Sequence, residues 1–160
     1  MSTDPRPGFA LPLLLLAGFQ SLVDELHAEL ARQGHVDARP AHGFALRAVG
    51  ADGTTAAELG RRLGVSKQAA AKTIAALEAL GYVERSLDSA DARRRLVRAT
   101  ERGEDLLARS ARIFYDLRAR WVAELGERRV RAIEDGLRAV TGGPLLRLDA
   151  PAWFGRAEAP

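Results

Sequence analysis

Apolar side chains recur at steps of three and four residues through most of this chain, and the step changes where the predicted elements change. Leu15, Phe19, Leu22, Leu26 and Leu30 lie on one such stripe, which predicts a helix from about Leu11 to Arg32 closed by Gly34. The segment GHVDARP leads to a second helix near Ala41 to Val49, and the turn GADGTT follows it. At Thr55 the sequence TAAE has capping-box spacing, in which the threonine hydroxyl takes a first-turn amide and Glu58 reaches back to the cap amide. A short helix, Ala56 to Leu63, begins there and stops at Gly64. Ser66 then caps another that runs to Leu80 before Gly81 closes it.

After Gly81 the pattern shortens. YVERS and RRLVRA read as two strands around the polar loop LDSADA. From Thr100 the helical step returns, with Phe114, Leu117, Trp121 and Leu125 along a helix of about 25 residues, roughly 38 Å long. Val130, Ile133, Leu137 and Val140 repeat it in a last helix ending at Gly142 and Gly143, and the tail PLLRLDAPAWFGRAEAP has no clear period. Two helices joined by a glycine turn and followed by a ribbon have the order of a winged helix. The expected fold class is therefore mainly α: a winged helix-turn-helix with a two-stranded wing, flanked by N- and C-terminal dimerisation helices. The corresponding segments are 1–34, 41–99 and 100–142, with 143–160 unassigned.

Composition narrows the chemistry. Cysteine is absent from the 160 residues, which removes disulfides, thiolate metal sites, cysteine nucleophiles and thiol redox sensing. The three histidines, His27, His35 and His42, form no H-x-x-x-H pair, so no metal and no cofactor is expected. No G-x-S-x-G, P-loop, G-x-G-x-x-G or H-E-x-x-H pattern occurs, and the neighbouring acids Glu134 and Asp135 point to different sides of a helix. An enzyme is not expected. The apolar run FALPLLLLAGF matches a signal-peptide core in length, but it lacks a cleavage pattern, is too short to span a bilayer and continues the stripe of the first helix. It reads as part of a cytoplasmic helix, with no membrane partner.

The net charge of +3 is unevenly placed. Nine cations and five acids lie between Thr54 and Thr100, a local balance of +4, so the remainder sums to −1. A basic centre between near-neutral flanks suggests a polyanion-binding module on a scaffold with another purpose. The only two lysines, Lys67 and Lys72, fall in one short stretch, SKQAAAK. On a helix starting at Ser66, the face Lys67, Gln68, Ala71, Lys72 and Ala75 opposes an apolar stripe of Ala70, Ile74 and Leu77. Long donors followed by alanines allow the backbone to sink into a major groove while Lys67 and Gln68 reach base edges. Thr54 and Thr55, ahead of the preceding helix, stand where hydroxyls and amides hold phosphate. On the returning strand Arg93, Arg94 and Arg95 alternate between faces, so one or two of them reach the nucleic acid, with Arg93 favoured for the minor groove.

The stretch from Thr55 to Gly103 resembles the DNA-binding lobe of the MarR family of bacterial transcription regulators, and the helices on either side match that family's organisation across about residues 11 to 142. Asp91, Arg93, Thr100 and Gly103 stand where the family places its D-x-R and T-x-x-G; Ala99 departs from a common leucine. The resemblance implies that Asp91 braces the wing, that Arg93 probes the minor groove and that Ser66, Lys67, Gln68 and Lys72 occupy recognition-helix positions. It also implies a small aromatic or anionic effector bound near His42, Phe44 and Phe114.

Long amphipathic helices outside a small winged domain need a partner surface, which points to a homodimer. A two-fold dimer would place two recognition helices about 34 Å apart on double-stranded DNA and favour an inverted-repeat operator. The functional expectation is a sequence-specific transcription regulator, acting as a repressor that an effector releases. The alternative is a winged-helix module that docks a protein through its basic face.

Overall fold

The computed structural model describes residues 7–87 and 95–142. Along the chain it contains α1 (Ala10–Arg32), α2 (Pro40–Val49), α3 (Ala56–Leu63), α4 (Lys67–Ala79), β1 (Val83–Leu87), β2 (Arg95–Ala99), α5 (Glu101–Leu125) and α6 (Glu127–Thr141). These bounds fall within one or two residues of those expected from the apolar period. The two strands pair antiparallel, from Val83 opposite Ala99 to Leu87 opposite Arg95. The ladder also has a member that the sequence does not announce: Thr54 bridges Val97, each donating its N–H to the other's carbonyl at 2.9 and 2.7 Å. The chain entering α3 is thus stitched to the wing's returning strand.

The apolar core is the meeting point of these elements. Leu46 and Val49 of α2, Leu59 and Leu63 of α3, Ala70, Ile74 and Leu77 of α4, Val83 and Val97 of the ribbon, and Leu106 of α5 are all buried in one cluster with Leu26 and Leu30 of α1. Burying each large aliphatic side chain contributes roughly 1.5–3 kcal/mol, so α4 owes its fixed position to the Ile74 and Leu77 stripe. The cap of α3 forms only on one side. Thr55 Oγ1 accepts the Glu58 N–H at 3.2 Å, but the Glu58 carboxylate turns to Arg61 and Arg62 instead of reaching back to the cap amide. Two nearby guanidinium groups outcompete one neutral amide for the carboxylate.

The first helix behaves as two halves. Its C-terminal half buries Val23, Leu26 and Leu30 and lies antiparallel on α5, where the Glu25 carboxylate pairs with Arg120 at 2.7 Å. In its N-terminal half Leu11, Leu13, Leu14 and Leu15 are exposed, Leu14 by 66%. At the other end, Val130 anchors α6 while Ile133, Leu137 and Val140 stay exposed. Part of the flanking apolar surface expected to serve a dimer is therefore satisfied within the chain, and part is not. No helix among the described residues is long and apolar enough to cross a membrane.

Thr100 and Gly103 join the winged lobe to α5. The Thr100 N–H donates to the Tyr82 carbonyl at 3.1 Å, its hydroxyl donates to the Gly81 carbonyl at 2.6 Å, and the same oxygen accepts the Gly103 N–H at 3.2 Å. A Cβ on Gly103 would stand 2.2 Å from the Tyr82 carbonyl oxygen. That contact is backbone on backbone, so no side chain can swing aside. At the far end of α5, Arg118 bridges Glu127 at 3.0 Å and Glu134 at 2.7 Å, setting α6 against α5. The guanidinium pulls the Glu127 carboxyl down to about 2, with help from Arg131.

Gly103→Ala should destabilise the fold by about 1–3 kcal/mol through this overlap, although alanine is intrinsically the better helix former by about 1 kcal/mol; urea unfolding measures the sign. The depressed Glu127 pKa also fixes a direction in pH. Its contribution is present above the ordinary glutamate value, about 4.3, and is lost as pH falls towards about 2. Hydrogen exchange along α6 should accelerate over that window, and Arg118→Ala should remove the dependence.

Candidate nucleic-acid interface

The turn between α3 and α4 is built by local chemistry. Gly64 takes φ +69°, a left-handed conformation that ends α3 without a Cβ penalty, and the Val65 N–H returns to the Gly60 carbonyl at 2.9 Å. Ser66 then caps α4, its Oγ accepting the Ala69 N–H at 3.0 Å. This starts the helix so that Lys67 and Gln68 project from its first turn into solvent, with Lys72 one turn on. Between and beyond them Ala69, Ala75, Ala76 and Ala79 are exposed, while Ala71 is half-buried. The surface is a helix face of small residues with long donors at its N-terminal end, held in place by the buried Ala70, Ile74 and Leu77.

The cations of this region divide by whether the protein already uses them. Arg61 and Arg62 hold Glu58, and Arg62 also donates to the Ala48 and Val49 carbonyls at 2.8 and 3.1 Å, closing the end of α2. Arg85 pairs with Glu78 at 3.0 Å, tying the wing to the last turn of α4. Among the described residues, Lys67, Lys72, Arg95 and Arg98 of this region have no protein partner and are exposed. Arg98, on β2 beside Gly53, was not expected at the interface; it is exposed although Leu96, two residues earlier on the same face of the strand, is buried. Asp91, Arg93 and Arg94 lie outside the described residues.

Three expected positions, Thr54, Thr55 and His42, are corrected by geometry. Thr54 is only 2% exposed, and its backbone belongs to the ladder with Val97, so its hydroxyl does not face a phosphate. Thr55 is half-buried with its hydroxyl engaged as the α3 cap, leaving the first amides of α3 as the donors at that helix start. His42 is the third. Its Nδ1 accepts the Arg39 N–H at 3.3 Å, so it caps α2. Burial, and then the Arg39 cation, hold it below the ordinary histidine range, in the neutral form that this acceptor role needs.

Phe44 and Phe114 do come together, in the wall of a cavity of about 80 Å³ between α1, α2 and α5. Leu26, Leu30, Leu106 and Leu107 are part of its apolar lining, and His27, Arg39, Arg47 and Ser110 supply the polar groups. His27 Nδ1 lies 2.7 Å from the Val23 carbonyl, which must accept; the proton is therefore on Nδ1 and Nε2 is the free ring nitrogen in the neutral form. Among the described residues no three metal-binding side chains cluster.

The sequence model of the MarR family matches residues 37–94, from the α1–α2 connection into the wing. Among curated proteins no relative matches the chain. The whole fold is shared with solved structures. YusO from Bacillus subtilis is 21% identical, with 89% of this chain and 100% of that one covered at a TM-score of 0.64. MarR from E. coli, in its apo form, is 24% identical over 86% and 98% of the two chains, with a TM-score of 0.61. A mutant of S. aureus MepR bound to an oligodeoxyribonucleotide is 19% identical over 82% and 95%, TM-score 0.57. MepR bound to ethidium bromide is 20% identical over 81% and 93%, TM-score 0.58. The expected winged helix-turn-helix is thus the fold shared with these structures, and in this chain Thr54 bridges Val97 beside the ribbon.

Proposed function

We propose that this chain is a sequence-specific DNA-binding transcription regulator that acts as a homodimer on an inverted-repeat operator. The observation that carries the reading is the exposed face of α4: two lysines and a glutamine without partners among the described residues, followed by alanines, on a helix whose opposite side is fixed in the core. Such a face can enter a major groove, where Lys67 and Gln68 read base edges and Lys72 meets phosphate. Arg95 and Arg98 extend the basic surface along β2, and by resemblance Arg93 enters the minor groove with Asp91 bracing the wing. The DNA-bound MepR structure supports the same use of a shared fold.

The dimer rests on the exposed apolar residues at the two ends of the scaffold, Leu11 to Leu15 on α1 and Ile133, Leu137 and Val140 on α6. Patches of this kind mark interaction surfaces. Release by an effector rests on the cavity between α1, α2 and α5: apolar walls with Phe44 and Phe114, and arginines at positions 39 and 47, suit a small aromatic anion. A coupling of about 1–3 kcal/mol between the two ligands is sufficient for regulation. Repression is the corresponding mode, because a dimer seated on an operator blocks access to it until released.

Selection from random duplex DNA should return an inverted repeat, and sedimentation should show a dimer both free and bound. Lys67→Ala should then cost roughly 1–3 kcal/mol and relax base choice, Lys72→Ala should weaken all sequences alike, and Arg85→Ala, whose guanidinium is held by Glu78, should alter affinity least. Affinity should fall steeply with salt. Protein that ignores duplex DNA in dilute buffer but captures a protein through the same face would establish the docking alternative.

A further inference from the structure

Tyr82 is the largest of the fully buried side chains, at 0% exposure, and it occupies the root of the wing. Its backbone N–H donates to the Leu77 carbonyl of α4 at 2.9 Å, and its carbonyl takes the Thr100 N–H ahead of α5. Its hydroxyl lies 3.0 Å from His35 Nδ1, and His35 Nε2 lies 2.9 Å from Asp105 Oδ2. His35 stands in the connection between α1 and α2, its side chain 2% exposed, its N–H bound to the Leu30 carbonyl. The three residues are 47 and 70 positions apart in sequence, and they join the wing root, the end of α1 and the first turns of α5.

The proton positions follow from the partners. A carboxylate only accepts, so in the neutral ring Nε2 carries the proton towards Asp105, and Nδ1 presents a lone pair to which Tyr82 must donate. Each bond therefore has a fixed direction. Arg109 holds Asp105 from one turn on at 2.7 Å and reaches Gln33 at 3.0 Å, while Arg102 lies 5.1 Å over the Tyr82 ring and donates to the Gly34 carbonyl at 3.3 Å. Arg109 first, then His35, keep the Asp105 carboxyl below its ordinary range, in the charged form the chain of bonds requires. The network closes on itself across α1, the connection and α5. The surrounding contacts, Leu30, Leu77 and Leu106, are apolar and non-directional. Apolar packing holds elements together without fixing a unique angle between them, whereas directional bonds at a buried centre, here His35 and Tyr82 with Asp105 at the half-open edge, favour one geometry.

We infer that His35 is a positioning residue for DNA recognition: through the Tyr82 hydroxyl and the Asp105 carboxylate it fixes the angle of the winged lobe on the α1–α5 scaffold, and so the spacing of the half-sites that two copies accept. This rests on the DNA-binding reading. In a dimer each lobe swings about its own wing root, so a small freedom of angle becomes a larger freedom in the distance between the two recognition helices.

The test compares wild type, Tyr82→Phe, His35→Leu and His35→Gln on the selected operator and on versions with one or two base pairs inserted or removed at its centre. Tyr82→Phe removes the hydroxyl and keeps the ring; glutamine can still accept from one partner and donate to the other. Wild type should lose about tenfold or more in affinity per base pair of wrong spacing, since each rotates a half-site by roughly a tenth of a turn. Tyr82→Phe and His35→Leu should flatten this loss to about threefold or less, with His35→Gln restoring the steep profile. Equally steep profiles in all four proteins would overturn the assignment. A second measurement, without DNA, separates this from failure of the DNA-binding reading. Exchange of the Thr100 and Gly103 amide protons, measured well below each variant's melting temperature, should rise about tenfold in Tyr82→Phe and His35→Leu relative to the other core amides, and return in His35→Gln. Unchanged exchange overturns the positioning role even if no operator is found, and faster exchange in a protein that ignores DNA refutes only its use in half-site spacing.

Discussion

The contact between the first turn of α5 and the Tyr82 carbonyl is the constraint on which the rest of the arrangement depends. Helix and wing root approach so closely that only a residue without a Cβ fits at position 103, and Thr100 uses its N–H and hydroxyl to hold the same junction. Because Tyr82 is also bonded to the end of α4, this junction transmits the position of α5 to the helix that presents Lys67 and Gln68. A threonine followed three residues later by a glycine is therefore a mechanical requirement: one residue caps the helix and the other lets it dock.

Electrostatics sorts the basic centre into two populations. Arginines 61, 62 and 85 hold the folded lobe together, each satisfied by a carboxylate or by helix-terminal carbonyls. Lys67, Lys72, Arg95 and Arg98 make no such contact among the described residues. The distinction matters because a cation already in an ion pair must give up its partner to bind phosphate, whereas an unpaired, solvated one displaces only the counterions condensed on the DNA. The lysines thus differ from Arg61, Arg62 and Arg85 in being uncommitted, and their clustering at the start of one helix has a physical counterpart.

The scaffold has the opposite character. The C-terminal half of α1 is satisfied against α5 and against the lobe, while leucines 11 to 15 and the outer face of α6 remain exposed within the chain. The cavity with Phe44 and Phe114 sits where the satisfied half of α1 meets α2 and α5, close to Leu30 and Leu106. Leu30 also accepts the His35 N–H, and Leu106 adjoins Asp105 in sequence. The cavity and the polar network at the wing root are therefore neighbours, and both lie between the scaffold and the DNA-facing lobe.

The elements and the outward face of α4 were legible in the sequence because both are local properties. A period of 3.6 or 2, a cap and a glycine each act within a few residues, and the side of a helix on which Lys67, Gln68 and Lys72 emerge follows from their spacing to Ala70, Ile74 and Leu77. What tertiary structure alone decided were relations between distant segments. Thr54 and Val97 pair across more than forty residues, which removes Thr54 from the surface. Arg109 folds back to Gln33, His42 turns to a cap instead of a cavity wall, and Glu58 prefers two arginines to the helix start. His35, Tyr82 and Asp105 carry no mutual signal in sequence, since a hydrogen bond depends on positions and directions in space that only the packed core supplies.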